Sequence, residues 1–297
     1  MNFIEKQRSA GDKAFDALLC LAFLLFSVTV LYPFIYLLAL SFNEGSDALR
    51  GGITVWPRKA TLENYRIIFD NPDLLHALMN SVLRTVIGGA CSIFLGGLVA
   101  YFFTKRNIVG YKLYVTLLVL PMYFSAGMIP TYLIYRGLGL TNSFLVYIIP
   151  NLVWAYNILI MRTFFLGLPP SLEESAHIDG AHEYTIFFKI IFPLSAPVFA
   201  TIFLFDAVWQ WNSWFDTLLF AGTKDELNTL MSLLARMIMS MKSSEIVGIK
   251  AAKGAKAITS DTLRAAMTIV TTLPIVLVYP FLQKYFVKGI LVGAVKG

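Results

Sequence analysis

Apolar positions along this chain gather into long runs separated by short charged segments. Stretches free of Asp, Glu, Lys and Arg are Ala17–Asn43, Thr85–Thr104, Leu113–Tyr135, Gly137–Met161, Ile190–Phe205 and Ala265–Gln283. A helix needs about 20 residues to cross a hydrocarbon core of about 30 Å. Five of the runs meet that length; the fifth in order has only 16 residues before Asp206, which places its last turn near an interface. The pattern predicts an all-α integral membrane protein with six transmembrane helices in one domain, residues 1–297, with both termini on the same side. The first run is longer than a signal-peptide core and no small-residue cleavage site follows it, so it reads as a retained crossing.

Composition agrees. Of 297 residues 57% are hydrophobic and 14% charged, with a mean hydropathy of +0.69; soluble domains carry about a quarter charged residues. Disordered, collagen-like and disulfide-scaffold classes are excluded. The net charge of +6 is not gathered into any basic run of five or more, so no nucleic-acid partner is expected. Cys20 and Cys91 both sit in apolar runs and read as buried thiols.

Orientation follows from where Lys and Arg flank the runs. Lys6, Arg8 and Lys13 precede the first, Lys105, Arg106 and Lys112 fill the second connection, Arg162 and Lys189 flank the fourth, and Lys284, Lys288 and Lys296 follow the last. The short third connection, on the other side, offers only Arg136. Both termini are therefore expected in the cytoplasm. Gly88, Ser92, Gly96 and Ala100 recur every four residues in the second run, either as a close-packing face or as the ordinary abundance of small residues in membrane helices. Pro33, Pro121, Pro130, Pro150, Pro193, Pro197, Pro274 and Pro280 lie in or beside the runs and favour kinks.

The fourth connection, residues 162–189, is not a plain linker. Pro169 and Pro170 mark a turn, and Ser171 with Glu174 three residues on has the spacing of a capping box. Glu173 and Glu174 suit the positive end of a helix dipole. Leu172, Ala176 and Asp179 share a face, and Gly180 can take the left-handed conformation that ends a helix. A two-turn surface helix is expected, too short to hold itself together.

Glu174-Ser175-Ala176, three residues, Gly180, nine residues, Ile190, one residue, Phe192 and Pro193 resemble the "EAA" loop of binding-protein-dependent ABC importer permeases. Ser175 stands for the family's Ala and Phe192 for its Leu. The text Glu174 to Ala181, Pro193 to Pro197, Tyr285 to Gly289 and Gly293 to Gly297 is most similar to the carbohydrate-uptake branch, and Trp211 to Asp216 looks like its oligosaccharide and polysaccharide subgroup. The resemblance implies a bacterial cytoplasmic (inner) membrane location and a short cytoplasmic coupling helix between helices four and five. That helix docks on an ATPase subunit, with Glu174, Ser175, Ala176, Asp179, Gly180, Ile190 and Pro193 in the coupling role. Ala176 would permit close approach, and Glu174 would meet a basic group of the partner or only complete the capping box.

No phosphate-binding loop occurs: Gly248 to Lys256 has the wrong spacing and no following Ser or Thr. The resemblance thus implies an ABC permease that is not itself an enzyme and holds no cofactor, with ATP and Mg on two partner ATPase subunits. Alternating access would move an oligosaccharide through it. An extracytoplasmic sugar-binding protein and a second permease subunit, expected to be non-identical, complete the assembly. Sugars are held by aromatic rings and hydrogen-bonding groups, which singles out Trp209, Asn212, Trp214 and Asp216, although interfacial tryptophans also form an ordinary belt. Asn151, Tyr156 and Asn157 are polar within the fourth run and candidates for the same path. Asp206 and Arg84 stand near boundaries, where Arg84 is expected to snorkel. Residues 221–264, with Lys242, Lys250, Lys253 and Lys256, form an extracytoplasmic loop that contacts the binding protein or is merely solvated. His177 and His182 are five apart with Gly180 between them, so no metal site is assigned. The alternative is an ion-coupled secondary transporter of a small solute, which usually has more crossings, an internal repeat and mid-membrane acids.

Overall fold

The computed structural model describes the backbone of residues 10–239 and 258–294, with side chains to residue 280. Lys6, Arg8, Lys242, Lys250, Lys253, Lys256 and Lys296 lie outside the described residues, as do the side chains of Lys284, Lys288 and the Tyr285–Gly289 text. Two compact units divide the chain, one within residues 1–70 and 242–270, the other within 71–241 and 271–297. Among the described residues the regular structure is helical, with one isolated antiparallel bridge between Asn43 and Ala60.

In the first unit α1 (Ala10–Ser41) is apolar all round, and its most apolar window buries nothing within the chain. Its few hydroxyls turn inward: Ser27 and Thr29 donate to the carbonyls of Phe23 and Leu25 at 2.7 and 2.9 Å. Such a helix keeps every backbone polar group satisfied and suits a lipid surface. Beyond it α2 (Gly45–Ala48) and α3 (Glu63–Phe69) are drawn together by a polar hub. The buried Asn64 amide donates to the carbonyls of Ser41 and Asn43, and Asp47 accepts from Asn43 at 3.1 Å and Arg58 at 3.0 Å.

The second unit opens with α4 (Pro72–Phe102), where Asn71 caps the first turn and Pro72 takes the position that needs no donor. There follow α5 (Tyr111–Val119), α6 (Met128–Gly137), a pair of 3₁₀ turns over 144–151 and α7 (Ala155–Phe165). Next come α8 (Ser171–Ile178), α9 (Glu183–Ile186), a π turn over Phe187–Ile191, α10 (Phe192–Leu194) and α11 (Ala196–Asn212). The series ends with α12 (Phe215–Phe220), α13 (Leu230–Met239) and α14 (Ser260–Ala294), whose residues are shared between the two units.

Charge-free length and helix length part company here. Among the described residues three helices are long and apolar enough to cross a membrane alone, Gly11–Ser41, Pro72–Phe102 and Ser260–Pro280. The fourth run is a pair bent by 47°, and the fifth a pair bent by 78° that continues past Asp206 to Asn212. The third, Leu113–Tyr135, is no continuous helix: α5 closes in a 3₁₀ turn at Pro121, and Gly127, at φ +83°, separates it from α6. Pro121, Pro150, Pro193 and Pro197 each remove a backbone donor in the helices adjoining these breaks.

The small-residue row of α4 is a packing face. Gly88, Ser92, Gly96 and Ala100 are all buried. A methyl group built on Gly88 would stand 2.6 Å from the Gln210 amide, on Gly96 3.0 Å from Met161, and on Gly97 2.9 Å from the Phe199 ring. Side chains of α7 and α11 therefore pack directly onto the α4 backbone. The core between them holds Tyr101, Ile158, Met161, Phe165, Phe187 and Phe199.

Candidate functional site: the surface helix α8 and the polar end of α11

α8 begins one residue earlier than its sequence suggests. Pro170 already has helical dihedrals (φ −60°, ψ −28°) and serves as the cap, so Ser171 is the first helical residue. The amides of Glu173 and Glu174 turn onto the Pro170 carbonyl at 3.1 Å, and no side-chain cap bond forms. The capping box expected of Ser171 and Glu174 is thus absent, displaced by the fixed backbone of proline. The other end is as the sequence predicts. Gly180 has φ +76°; its amide donates to the His177 carbonyl at 3.0 Å, and that of Ala181 to Ala176 at 2.9 Å. This pair of bonds satisfies the last carbonyls and turns the chain sharply back.

The two faces of α8 differ. Ala176 is buried in the cluster that also holds Tyr101, Phe165 and Phe187, with Leu172 half-buried, so this face of α8 is turned toward the chain's own core. Glu174, Ser175 and Asp179 are exposed, and Ile178 is 86% exposed. Among the described residues the Glu174 carboxylate meets no partner, while its neighbour Glu173 is engaged. Lys105, in the connection after α4, donates to Glu173 at 2.6 Å and lies 3.2 Å from Glu183. Tyr101 donates to Glu183 at 2.6 Å and sets its ring 4.6 Å from the Lys105 ammonium. Burial works against the charge on Lys105, but the bonds to Glu173 and Tyr101 outweigh it and hold the ammonium above the ordinary lysine range. No spacing rule links position 105 to 173 or 183: the sequence assigns Lys105 to the orienting charges and Glu173 to the helix dipole, and nothing in it brings the three together. Ile190 is half-buried in the π turn and the exposed Pro193 sits in α10.

In the first half of α4 lies Arg84, for which the sequence predicts a side chain snorkelling to an interface. It is wholly buried. Its Nε donates to Gln210 Oε1 at 2.9 Å, its Nη2 to Asp216 at 2.5 Å and its Nη1 to the Ser213 carbonyl at 3.4 Å, with the Tyr147 ring 4.3 Å away. A guanidinium can be buried in this way only because its planar fork is met on several sides. Gln210 in turn donates to the Tyr147 carbonyl at 2.9 Å. Asp216 is thereby engaged with Arg84. Asn157 donates to Asp206 at 2.8 Å, and Asn151 to the Tyr147 carbonyl at 3.1 Å.

A cavity of about 630 Å³ opens beside this cluster, lined by Leu204, Phe205, Val208, Trp209, Asn212, Ser213 and Tyr279. Trp154 stands edge-on to Trp209 at 5.4 Å. Asn212 donates to the Val208 carbonyl at 2.8 Å, which leaves its own oxygen as an acceptor. The wall is largely apolar, from Leu204, Phe205, Val208, Trp209 and Tyr279, with Asn212 and Ser213 as its polar groups and no charge. Of the seven residues singled out for a sugar path, Trp209 and Asn212 line this cavity, and the other five do not. Asn151, Asn157 and Asp216 serve the internal polar network, Tyr156 is exposed, and Trp214 packs edge-on against Phe215 at 5.6 Å.

Residues 92–292 match the family described as the binding-protein-dependent transport system inner membrane component. The polygalacturonan/rhamnogalacturonan transport system permease protein YtcP of Bacillus subtilis (strain 168) is 38% identical over 286 residues, covering 96% of this chain and 99% of that protein. The arabinooligosaccharides transport system permease protein AraQ of the same organism is 29% identical over 287 residues, 94% of this chain and 95% of that one. Among solved structures, a bacterial ABC transporter involved in the import of the acidic polysaccharide alginate superposes with a TM-score of 0.86 at 28% identity, over 95% of this chain and 99% of the other. With about two thirds of its length inside the family's bounds and a relative 38% identical across nearly all of it, the chain belongs to the binding-protein-dependent transport system inner membrane components, as a membrane-spanning permease.

Proposed function

We propose that this permease imports an oligosaccharide by alternating access, driven by ATP and Mg bound to two partner ATPase subunits and supplied by an extracytoplasmic sugar-binding protein. The observation that carries this reading is α8: an eight-residue surface helix, closed by a left-handed Gly180, that presents Glu174, Ser175, Ile178 and Asp179 outward. Glu174 would pair with a basic group of the ATPase and Ile178 would fill an apolar cleft there, while Gly180, Ile190 and Pro193 shape the turn back into the bundle. The uncharged wall of Trp209, Asn212 and Tyr279 supports a sugar path, since rings stack on C–H faces and amides bond hydroxyls. Six crossings, counting the bent runs and the broken third run as one each, put both termini in the cytoplasm of a bacterial cell, with residues 221–264 outside. A second permease subunit completes the pore.

The test is reconstitution of the whole importer in proteoliposomes. Uptake of a pectic or arabino-oligosaccharide should require internal ATP and survive an ionophore; uptake abolished by the ionophore with ATP present would favour the ion-coupled alternative. A Cβ built on Gly180 meets no atom within 4 Å, so the penalty of Gly180→Val comes chiefly from the left-handed backbone, about 1–2 kcal/mol. It should weaken retention of the ATPase during co-purification, and unchanged retention and transport would remove the coupling role from this loop.

A further inference from the structure

Two routes lead from α8 to the cavity wall, and they differ in stiffness. Along the chain the path passes Gly180, the π turn over Phe187–Ile191, Pro193 in α10, and a 78° bend before α11. π turns and prolines interrupt the regular ladder and make hinges. Across the chain the path passes through α4, whose 31 residues hold no proline beyond the first turn and run unbroken. That helix is about 46 Å long at 1.5 Å per residue.

Both parts of α4 are fastened by charge. Three residues past its inner end, Lys105 bridges Glu173 in the first turn of α8 and Glu183 in α9, so it holds both sides of the surface helix at once. Tyr101, on the last turn of α4, adds its hydroxyl to Glu183. Arg84, some 27 Å back along the same helix by its rise, grips Gln210, Asp216 and the Ser213 carbonyl. Gln210 and Ser213 flank Trp209 and Asn212 in sequence, and those two line the cavity with Ser213.

We infer that Lys105 is a positioning residue for transport: it couples α8 to α4, so that movement of α8 reaches the cavity wall through α4 and Arg84 rather than along the chain through the π turn and Pro193. The inference rests on the proposed ATPase docking of α8 and adds the route by which that docking acts.

The experiment uses the complete importer with its binding protein and compares oligosaccharide transported per ATP hydrolysed in wild type, Lys105→Met, Lys105→Arg and Glu173→Gln. Lys105→Met should retain the ATPase and continue to hydrolyse ATP, while transport per ATP falls about tenfold, a typical size for coupling between sites. Lys105→Arg should restore the ratio to within about twofold, because a guanidinium fork can meet both carboxylates. Glu173→Gln leaves the Glu183 partner in place and should give a smaller loss of the same kind. It also serves if Lys105→Met assembles poorly. A role confined to folding would lower the yield of complex and leave the ratio of the assembled fraction unchanged. That result, or an Arg variant as defective as the Met variant, overturns the inference. A Cys placed at Ile178 that forms no cross-link to the ATPase in the otherwise wild-type complex would instead remove the docking itself, and this route with it.

Discussion

At the scale of single residues, the burial of Arg84 is the feature with the largest consequence. Deleting the buried Arg84 leaves the Asp216 carboxylate, its side chain 17% exposed, without a counter-ion and strips Gln210 and the Ser213 carbonyl of their donor, and breaking a buried pair in this way is strongly destabilising. Arg84→Ala should lower stability by about 3–5 kcal/mol, the range for breaking a buried pair, read as a fall in the thermal transition of the complex in detergent. Arg84→Lys should recover only part of it, since a point charge cannot bridge Gln210, Asp216 and the Ser213 carbonyl together. If Arg84→Ala unfolds at the wild-type temperature, the pair is exposed in the assembled complex. Asp47 makes a different case outside the membrane spans. The Asn43 hydrogen bond, working against burial and helped by Arg58, holds its carboxyl below the ordinary value of 3.8. A depressed carboxyl contributes above its unfolded value and is lost as pH falls through its folded one. Hydrogen exchange over residues 42–62 should therefore accelerate below about pH 4, relative to intrinsic rates. In Asp47→Asn it should already be fast at neutral pH, with no further acid step.

At the scale of elements, α4 is set apart by what it lacks. With no side chain at Gly88, the Gln210 amide sits where a methyl group would be, and that amide is held on one side by Arg84 and on the other by the Tyr147 carbonyl. It has no room to yield. Gly88→Val should therefore cost about 1–3 kcal/mol by overpacking and separate α4 from α11. Gly137→Ala, at a helix end with nothing within 4 Å, should be tolerated. Equal stability of the two variants in the same detergent assay would mean that α11 can slide away from α4. The bends carry a related message. Proline at 121, 193 and 197 turns an apolar run into two helices because the missing donors leave the ladder open at those points.

At the scale of the whole molecule, the apolar surface is far too large for a chain alone in water. Phe23 is 67% and Leu24 59% exposed on α1, and the same holds for Val276 and Leu277 of α14 at 58% and 60%. Lipid and partner subunits are the surroundings that this surface fits. The purified chain without its partners should neither bind nor hydrolyse ATP, measured by nucleotide binding and phosphate release in detergent. Measurable turnover in a preparation free of ATPase subunits would contradict the reading of a permease that borrows its energy.

Membrane residence was legible in the sequence because the absence of charge over about 20 residues is a property of composition and needs no neighbours. The Glu174 to Pro193 spacing and the helix-ending Gly180 were legible for a similar reason: each is set by residues close together along the chain. What the sequence could not settle depends on partners far apart in it. Arg84 and Asp216 are separated by 132 positions, Lys105 and Glu173 by 68, and only folding decides that the first pair is met inside the protein rather than left at an interface and that the second, half-buried, is joined at all. The same holds for Ala176, whose small size is plain in the sequence but whose place in this chain's own core is not. Local backbone chemistry was written in the order of residues; which polar groups satisfy one another in a medium without water was decided by the packing of α4 against its neighbours.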